Sequence, residues 1–449
     1  MQAAGLGDDA LRLRRAPVWA RLDAVTRYGL FATVIVLFCV SGGMLWLIGY
    51  NYDGLAGSAA TKIHPSTYMI VLLFGWSLVA GGDPVSRSIH LASARPATLL
   101  MLVVAMGTFV VTVLRDGPGI GGLVDTYIAA GLLMLLLVDA DDDTMATLTT
   151  MLHVMMTVNA LLALFEFVTQ VRVFPYRFDG IAFETDTRST ALHGHPLVNA
   201  MITACYLMAL ISGAPSLSPT TRGVLIALQS AALVVFGGRT ALLTSLFFGL
   251  IYGAGALLGL LRRNRISLIG AAIGCALIAV LPVAIGGLAE LGFFNDVLGR
   301  FVSDGGSANA RKEMFDLLAM FSLGDLIIGP DTQLVDTLRR VNGLEWGIEN
   351  PFIRMTLYQG AIIMALVTLA FGLFMYELGR GRRGVWLVMI VWIILLNGSE
   401  SVATKTTLVA KFIVLVLCLY PRERPVGPSR FNQASSAPGP RSLSGRAAG

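Results

Sequence analysis

Charged residues are scarce in this sequence, and their scarcity excludes an ordinary soluble protein. Of the 449 residues, 14% are charged and 55% are hydrophobic. Soluble globular proteins carry about 25% charged residues, so most of the surface of this chain must face something other than water. Apolar runs recur along nearly the whole length, and many reach the ~18 residues that can cross a hydrocarbon core as a helix. The composition therefore predicts an integral membrane protein.

Cysteines are also few. The four cysteines, Cys39, Cys205, Cys275 and Cys418, lie far apart, and each falls inside an apolar run. None has the spacing of a metal-ligand cluster, and buried cysteines commonly act as small packing residues. We therefore expect no disulfide, no metal and no cofactor.

The net charge of the chain is +5, which in a soluble protein would indicate a nucleic-acid partner. Lysine and arginine collect in the cytoplasmic loops of membrane proteins by the positive-inside rule. That rule explains the charge without nucleic acid. We expect the lipid bilayer, and no nucleic acid, as a partner.

The apolar runs favour helices over barrel strands, because they are long and continuous and the backbone in lipid must satisfy its own hydrogen bonds. We predict an all-α, polytopic protein with about twelve transmembrane helices between residues 28 and 420. Residues 1–27 form a basic cytoplasmic segment, and residues 421–449, rich in Pro, Ser, Gly and Arg, form a disordered cytoplasmic tail. The predicted helices cover residues 28–50, 66–82, 97–114, 123–138, 144–170, 191–213, 223–236, 240–261, 266–291, 352–378, 385–396 and 403–420.

The basic residues predict that both termini are cytoplasmic. In this orientation arginines cluster in the cytoplasmic loops, whereas each short outer loop carries one basic residue, Lys62, Arg115 or Arg239. An even number of helices returns the arginine-rich tail to the cytoplasm, as the rule requires. Two longer segments, residues 171–190 and 292–350, then face outward. Apolar residues at helical spacing predict that the larger of these loops is partly helical.

Several arginines lie on the outer side, where the positive-inside rule does not put them. Arg188 and Arg239 stand at the mouths of two helices that run back into the membrane, and Gly237 and Gly238 let a ligand approach the backbone. A helix N-terminus offers N–H donors and partial positive charge, and guanidinium groups bind phosphate oxygens in pairs. These features predict an anionic ligand at the outer face. The alternative is that the arginines extend to the interface or pair with acids such as Glu184.

Four segments of the chain match the motifs of one family in order and spacing. They are R-x-x-x-L-x-G-H-P-L-x-N-A at residues 188–200, G-G-R-T-A at 237–241, R-F-x-x-x-x-x-S-A-N-A-R-K-E-M-F with a following L-I-I-G-P at 300–330, and G-I-E-N-P-F-I-R-M-T-L-Y-Q-G at 347–360. The chain here resembles the O-antigen ligase and O-antigen polymerase superfamily of bacterial surface-polysaccharide enzymes. Before residue 183 only the helical topology is similar.

The resemblance implies a GT-C-like membrane glycosyltransferase, inverting and metal-independent, at the periplasmic face of the bacterial inner membrane. Its donor would be a glycan on undecaprenyl diphosphate, its acceptor a glycan hydroxyl, and its further partners other polysaccharide-assembly proteins. Preorganised arginines stabilise a departing diphosphate without a metal. By motif match, the residues expected to contact the diphosphate or the substrate are Arg188, Arg239, Arg311, Arg300, His195 and Arg354, and Arg239 is also counted as catalytic.

Glu349 and Asn350 stand where the family often has His-Asn. The resemblance makes Glu349 the base that orients or deprotonates the acceptor hydroxyl, and Asn350 a contact to the sugar. A carboxylate also suits a helix N-terminus, so a capping role for Glu349 is the competing interpretation. Ligases typically carry His at this position, so the glutamate favours a polymerase of an exopolysaccharide or O-antigen over a ligase. Glu166 and His195 are the next candidates for the base.

Two other classes remain open. A lipid-linked oligosaccharide flippase or another transporter would also have about twelve helices. Against that class, no internal repeat is visible and the helix interiors lack the charges that such carriers usually need. A membrane anchor or assembly subunit without chemistry is the third possibility.

Reporter fusions test the predicted orientation. Fusions at Arg263 and Arg382 should report the cytoplasm, and a fusion near Asp331 should report export, because the arginines divide the loops in that way. A cytoplasmic signal at Asp331 would overturn the orientation, and the outer placement of the arginines with it.

Overall fold

The computed structural model describes residues 22–54, 57–115, 117, 119–178, 181–182, 188–212, 217–262, 290, 307–344, 347–348, 350–397 and 402–422. The first helices are α1 (Ala24–Cys39), α2 (Gly42–Leu47), α3 (Pro65–Ala80), α4 (Pro84–Ala94), α5 (Pro96–Leu114), α6 (Ile120–Asp139), α7 (Asp142–Thr169), α8 (Pro196–Ser212), α9 (Pro219–Phe236) and α10 (Arg239–Arg262). They are followed by α11 (Ser307–Ala319), α12 (Leu323–Ile328), α13 (Thr332–Val341), α14 (Pro351–Gln359), α15 (Ala361–Gly379), α16 (Val385–Asn397) and α17 (Leu408–Leu419). Within these ranges the strands are β1 (Arg177–Phe178) and β2 (Ile181–Ala182), which pair antiparallel.

Five of the described helices, α5, α6, α7, α9 and α15, are long and apolar enough to cross a membrane. The number becomes six if α3 and α4, which meet at a bend of 118°, count as one span. Helices α1, α8, α16 and α17 are apolar but shorter. The protein is therefore all-α and multi-pass. About twelve full-length spans are not reached within the described ranges, and the helix predicted at 266–291 lies outside them except for its penultimate residue.

Four predicted helices are markedly shorter or broken in the structure. The helix predicted at 352–378 is divided at Gly360 into α14 and α15, and the helix predicted at 403–420 begins only at Leu408. In the other two, the backbone leaves helical geometry inside the bundle. The helix predicted at 28–50 breaks at Val40 and Ser41, and Ser41 then caps α2 by accepting a hydrogen bond from the N–H of Met44 at 3.3 Å. The helix predicted at 191–213 begins only at Pro196, after a buried turn. Non-helical backbone at membrane depth is tolerated where protein buries it or where it lines a cavity.

Helices α8 and α17 form the centre of the bundle. In α8 every residue from 199 to 210 is buried, and in α17 all twelve residues are buried. Helix α8 contacts α9, α10, α16 and α17. A helix that is apolar all round is surrounded by other helices. The N-terminus of α8 is therefore held among its neighbours.

Helices α11–α14 form a second, smaller core, here called the outer subdomain. Its buried side chains are Met314, Leu317, Val335, Leu344, Ile348, Ile353, Leu357 and Tyr358. Arg115, which follows α5, ties it to the bundle by donating hydrogen bonds to the carbonyls of Ile328, Gly329 and Pro330 at 3.0, 2.6 and 2.8 Å. The helical content predicted for the larger loop is confirmed in its described part.

Candidate functional site

Glu166 holds the segment that leads into α8. Its side chain is buried near the C-terminal end of α7 and accepts hydrogen bonds from the backbone N–H groups of Val173 (3.0 Å), Thr190 (2.8 Å) and Ala191 (3.0 Å). Buried backbone donors must be paired, and bonds to a charged acceptor are stronger than neutral ones. Glu166, a reserve candidate for the base, therefore has the contacts of a structural anchor.

Residues 189–194, here called the buried turn, are all buried and non-helical. Two asparagines pair its backbone. The Asn159 side chain accepts a hydrogen bond from the N–H of Leu192 at 3.0 Å, and Asn199 Nδ2 donates to the carbonyl of Thr190 at 2.6 Å. These contacts come from α7 on one side and from α8 itself on the other. The turn is thus fixed by side chains on both helices that surround it.

Arg188 and His195 flank the buried turn. Arg188 is half-buried, and its carbonyl accepts a hydrogen bond from Arg172 Nε at 3.1 Å. His195 Nδ1 accepts the N–H of Leu197 at 3.2 Å, and its ring meets the edge of Tyr176 at 4.8 Å. Side-chain acceptance of an N–H in the first turn is the contact of a helix cap. His195 therefore stands at a helix start.

Arg239 is the first residue of α10 and lies beside α8. Gly237, at φ +65°, ends α9 in the left-handed conformation that favours glycine. Gly238 packs so closely on α8 that an added Cβ would lie 2.6 Å from the Cβ of Ala200. The G-G-R-T-A segment thus brings half-buried Arg239 against the first turns of α8, which Arg188 and His195 precede.

The other predicted site residues belong to the outer subdomain or to undescribed parts of the chain. Asn350 caps α14, since its side-chain oxygen accepts the N–H groups of Phe352 and Ile353 at 3.0 and 3.1 Å. The predicted contact of Asn350 with sugar would therefore fall to its amide nitrogen. Arg354 lies over the ring of Tyr358 at 5.4 Å.

The structure describes the other three predicted site residues only in part or not at all. Arg311 lies in α11, and only its backbone is described. Arg300 and Glu349 lie outside the described residues. Their predicted roles stay predictions that follow from the motif match.

Asp53 is an acidic residue near the buried turn that the sequence reasoning missed. An added Cβ on Gly42 would lie 1.6 Å from Asp53 Oδ2, and one on Gly194 would lie 2.5 Å from the Cβ of Ser41. The half-buried Asp53 carboxylate is thus one residue removed from the contact between α2 and the buried turn. Burial raises the pKa of Asp53 to about 6, against the opposing effect of Lys405 and of Lys62. In the sequence, N-Y-D-G has the composition of a turn, and nothing there marks a site.

Tyr52 and Asp125 fix the loop that carries Asp53. The Tyr52 hydroxyl donates to Asp125 at 2.8 Å, Thr67 Oγ1 donates to the same carboxylate at 2.7 Å, and the N–H of His64 lies 3.1 Å from it. The Lys405 ammonium lies 4.1 Å from the centre of the Tyr52 ring, within cation–π range. This polar network is buried, so it fixes the loop at a defined position.

Lys411 is a second residue that the sequence reasoning missed. It is buried in the first turn of α17, and its ammonium lies 3.3 Å from Nδ1 of His193 in the buried turn. The expectation that helix interiors lack charge is wrong, since Asp125 and Lys411 are both buried in apolar helices. A lone ionisable residue in an apolar run is the signal that could have found them.

An apolar cleft of about 280 Å³ lies between α14, α15 and α16. Its lining begins at Pro351 and Phe352, the first residues of α14. It ends at Tyr376, near the C-terminal end of α15, and at Trp386, near the N-terminal end of α16. Apolar walls of this kind suit a hydrocarbon chain better than a sugar. In the described part of the chain, no three His, Cys, Asp or Glu side chains come together as metal ligands.

Comparisons of the chain with protein-family models, with curated proteins and with solved structures find no match.

Glu166→Gln tests the anchoring of the buried turn. Glutamine replaces one accepting oxygen by an NH₂ group, so at least one of the three N–H groups loses its partner, at a cost of about 1–3 kcal/mol. The Tm of the purified protein in detergent should fall by several degrees. Asp143→Asn removes the same charge from an exposed position in the first turn of α7 and should leave Tm nearly unchanged. Equal melting of Glu166→Gln and wild type would contradict the anchoring role.

Proposed function

We propose that this chain is a membrane glycosyltransferase of the polysaccharide polymerase type, with a GT-C-like bundle, at the periplasmic face of a bacterial inner membrane. Its donor is a glycan on undecaprenyl diphosphate, and its acceptor is the hydroxyl of a second glycan. The observation that carries the proposal is the placement of Arg188 and Arg239. One precedes the buried turn into α8, and the other begins α10 against the same end of α8.

These helix starts supply what a diphosphate needs. The first turn of α10 provides backbone N–H groups and the positive end of a helix dipole, and the guanidinium groups provide bidentate donors. Buried Lys411 packs against the turn that leads into α8, where its Nζ lies 3.3 Å from Nδ1 of His193. Positive charge fixed before the reaction stabilises the negative charge that develops on the departing diphosphate. The arginines thus take the role that a metal has in other transferases.

The apolar cleft offers a place for the isoprenoid chain of the donor. Its lining begins at Pro351 and Phe352. Pro351 directly follows Asn350 and stands three residues before Arg354. A lipid tail in the cleft would bring its head group to the start of α14. The motif residues of the outer subdomain would then meet the donor from that side.

The reaction requires a proton acceptor for the attacking hydroxyl. Its oxygen bonds to the anomeric carbon, the bond from that carbon to the diphosphate oxygen breaks with inversion, and the hydroxyl proton passes to a carboxylate. We assign this role to Glu349, and Asp53 is the carboxylate beside the buried turn that could replace it. With a pKa of about 6, Asp53 is ionised at neutral pH and able to accept a proton.

A flippase for lipid-linked glycans is the second candidate, because Asp125 and Lys411 are ionisable groups buried in membrane helices. Such groups mark ion and substrate pathways in transporters. The two activities differ in product. A polymerase lengthens the glycan, whereas a flippase moves it across the bilayer unchanged.

Deletion of the gene and complementation with variants test the polymerase. The deletion strain should lose long surface glycans and retain single repeats, and the wild-type gene should restore the long chains. Arg239→Lys should not restore them although the protein accumulates in the membrane, because lysine lacks the bidentate fork. Arg222→Lys is the matched control and should restore the long chains. Arg222 lies in the first turn of α9, at the end of that helix that is far from Arg239.

The remaining outcomes of that experiment are equally informative. Lipid-linked polymer that accumulates in the deletion strain would show a ligase in place of a polymerase. Full activity of the Lys and Ala variants of both Arg188 and Arg239 would contradict the diphosphate site.

Glu349→Gln and Asp53→Asn together identify the base. The variant that removes the base should slow glycan transfer in detergent by roughly 10²-fold or more, with the protein still folded. If Asp53 is the base, wild-type transfer should fall as the pH drops through about 6, since protonated Asp53 cannot accept a proton, and Asp53→Asn should lack that dependence. Normal transfer by both variants would contradict a carboxylate base at either position and leave Glu349 as a structural residue.

A further inference from the structure

Helix α12 of the outer subdomain exposes an apolar face. Leu323, Ile327 and Ile328 are 80%, 48% and 75% exposed, whereas Leu326 packs into the core of the outer subdomain. These three exposed apolar side chains make up half of the six residues of the helix. Large aliphatic side chains grouped in this way on an extramembrane element indicate a surface that another apolar phase covers.

The position of α12 is fixed next to two membrane helices. An added Cβ on Gly360, which precedes α15, would lie 2.6 Å from the carbonyl carbon and oxygen of Ile328, and 2.8 Å from the N of Gly329. Arg115 at the end of α5 donates hydrogen bonds to the carbonyls of Ile328 and Gly329. Both glycines have positive φ, +102° and +94°, a conformation that favours glycine. The end of α12 therefore lies against the ends of α5 and α15.

The apolar face of α12 continues the lipid-facing surface of these two spans. Leu114, the last residue of α5, is 78% exposed, and Ile362 in the first turn of α15 is 56% exposed. Both helices are long and apolar enough to cross the membrane. Their exposed apolar side chains therefore face hydrocarbon, and those of α12 follow directly at the same end of the bundle.

We infer that α12 is an interfacial helix whose Leu323, Ile327 and Ile328 insert into the outer leaflet of the membrane. The polar side of the helix fits this position. Ser322 Oγ donates to Asp325 Oδ2 at 2.7 Å and accepts the N–H of Asp325 at 3.1 Å, so these polar groups remain among water and head groups. Amphipathic helices bind membranes with the apolar face in the acyl boundary.

The insertion holds the outer subdomain at the level of the lipid head groups. Helix α12 and Arg115 then form two attachments, one to lipid and one to the end of α5. Because α14 packs against α12 within the same subdomain, the start of α14 stays beside the apolar cleft. This surface and its lipid partner do not depend on the enzymatic proposal.

Spin labels measure the depth of α12 in the membrane. Single cysteines replace Leu323, Ile327 or Ile328 in a background in which the four native cysteines are changed to alanine, and the labelled protein is placed in phospholipid nanodiscs. Collision of the nitroxide with oxygen should exceed collision with a water-soluble nickel chelate at all three positions, as at Leu369, an exposed residue of α15. A label at Thr337, an exposed polar residue of α13, should show the reverse.

Two outcomes would overturn the inference. Nickel accessibility at Leu323, Ile327 and Ile328 equal to that at Thr337 would place α12 in water. Low accessibility to both reagents would show that protein covers the face. A photoreactive residue at Ile327, in a chain that keeps its native cysteines, gives a second measurement: it should crosslink to phospholipid, and crosslinking to protein alone would contradict insertion.

Discussion

The arrangement around α8 depends on the hydrogen bonds that the carboxylate of Glu166 accepts from backbone N–H groups. A membrane protein can leave helical geometry only where every freed backbone group finds a partner. Glu166 accepts the N–H groups of Val173, Thr190 and Ala191, and Asn159 and Asn199 pair further backbone groups of the buried turn. With these side chains in place, α8 starts at Pro196, inside the protein. A continuous helix from residue 191 would not start at this position.

That start gathers elements from distant parts of the sequence. The break after α1 meets the buried turn through Ser41 and Gly194, and the start of α10 meets α8 through Gly238 and Ala200. Both approaches require glycine, because a Cβ at either position would overlap its neighbour. Arg188 and Arg239 flank these segments, Lys411 of α17 contacts His193 in the buried turn, and Asp53 lies against Gly42, the residue after Ser41. A region that combines the positive charge of arginines with a nearby carboxylate has physical elements that transfer from a lipid diphosphate requires.

The all-α membrane bundle could be predicted because a shortage of charge and long apolar runs have few other causes. The helical content of the larger loop could be predicted from apolar residues at helical spacing. The apolar pattern did not predict the break at Val40–Ser41, since that break lies in a run whose composition is that of a continuous span. It also began a helix at residue 191, whereas residues 189–194 are non-helical and α8 starts at Pro196. The motif match drew attention to Arg239 and His195, which stand at helix starts. Asp53 and Lys411 were missed, because one reads as a turn residue and the other sits alone in an apolar run, and only tertiary packing brings them to the buried turn.

Binding of undecaprenyl diphosphate, measured by native mass spectrometry of the purified protein, tests the central claim most directly. The wild-type protein should bind undecaprenyl diphosphate more tightly than undecaprenol, which has the same hydrocarbon chain without phosphate. An Arg188→Ala, Arg239→Ala double variant that is folded should lose this discrimination, because the two guanidinium groups that we propose at the starts of α8 and α10 are gone. Equal retention of the two lipids by the wild type, or unchanged discrimination in the double variant, would contradict a diphosphate site at the starts of α8 and α10.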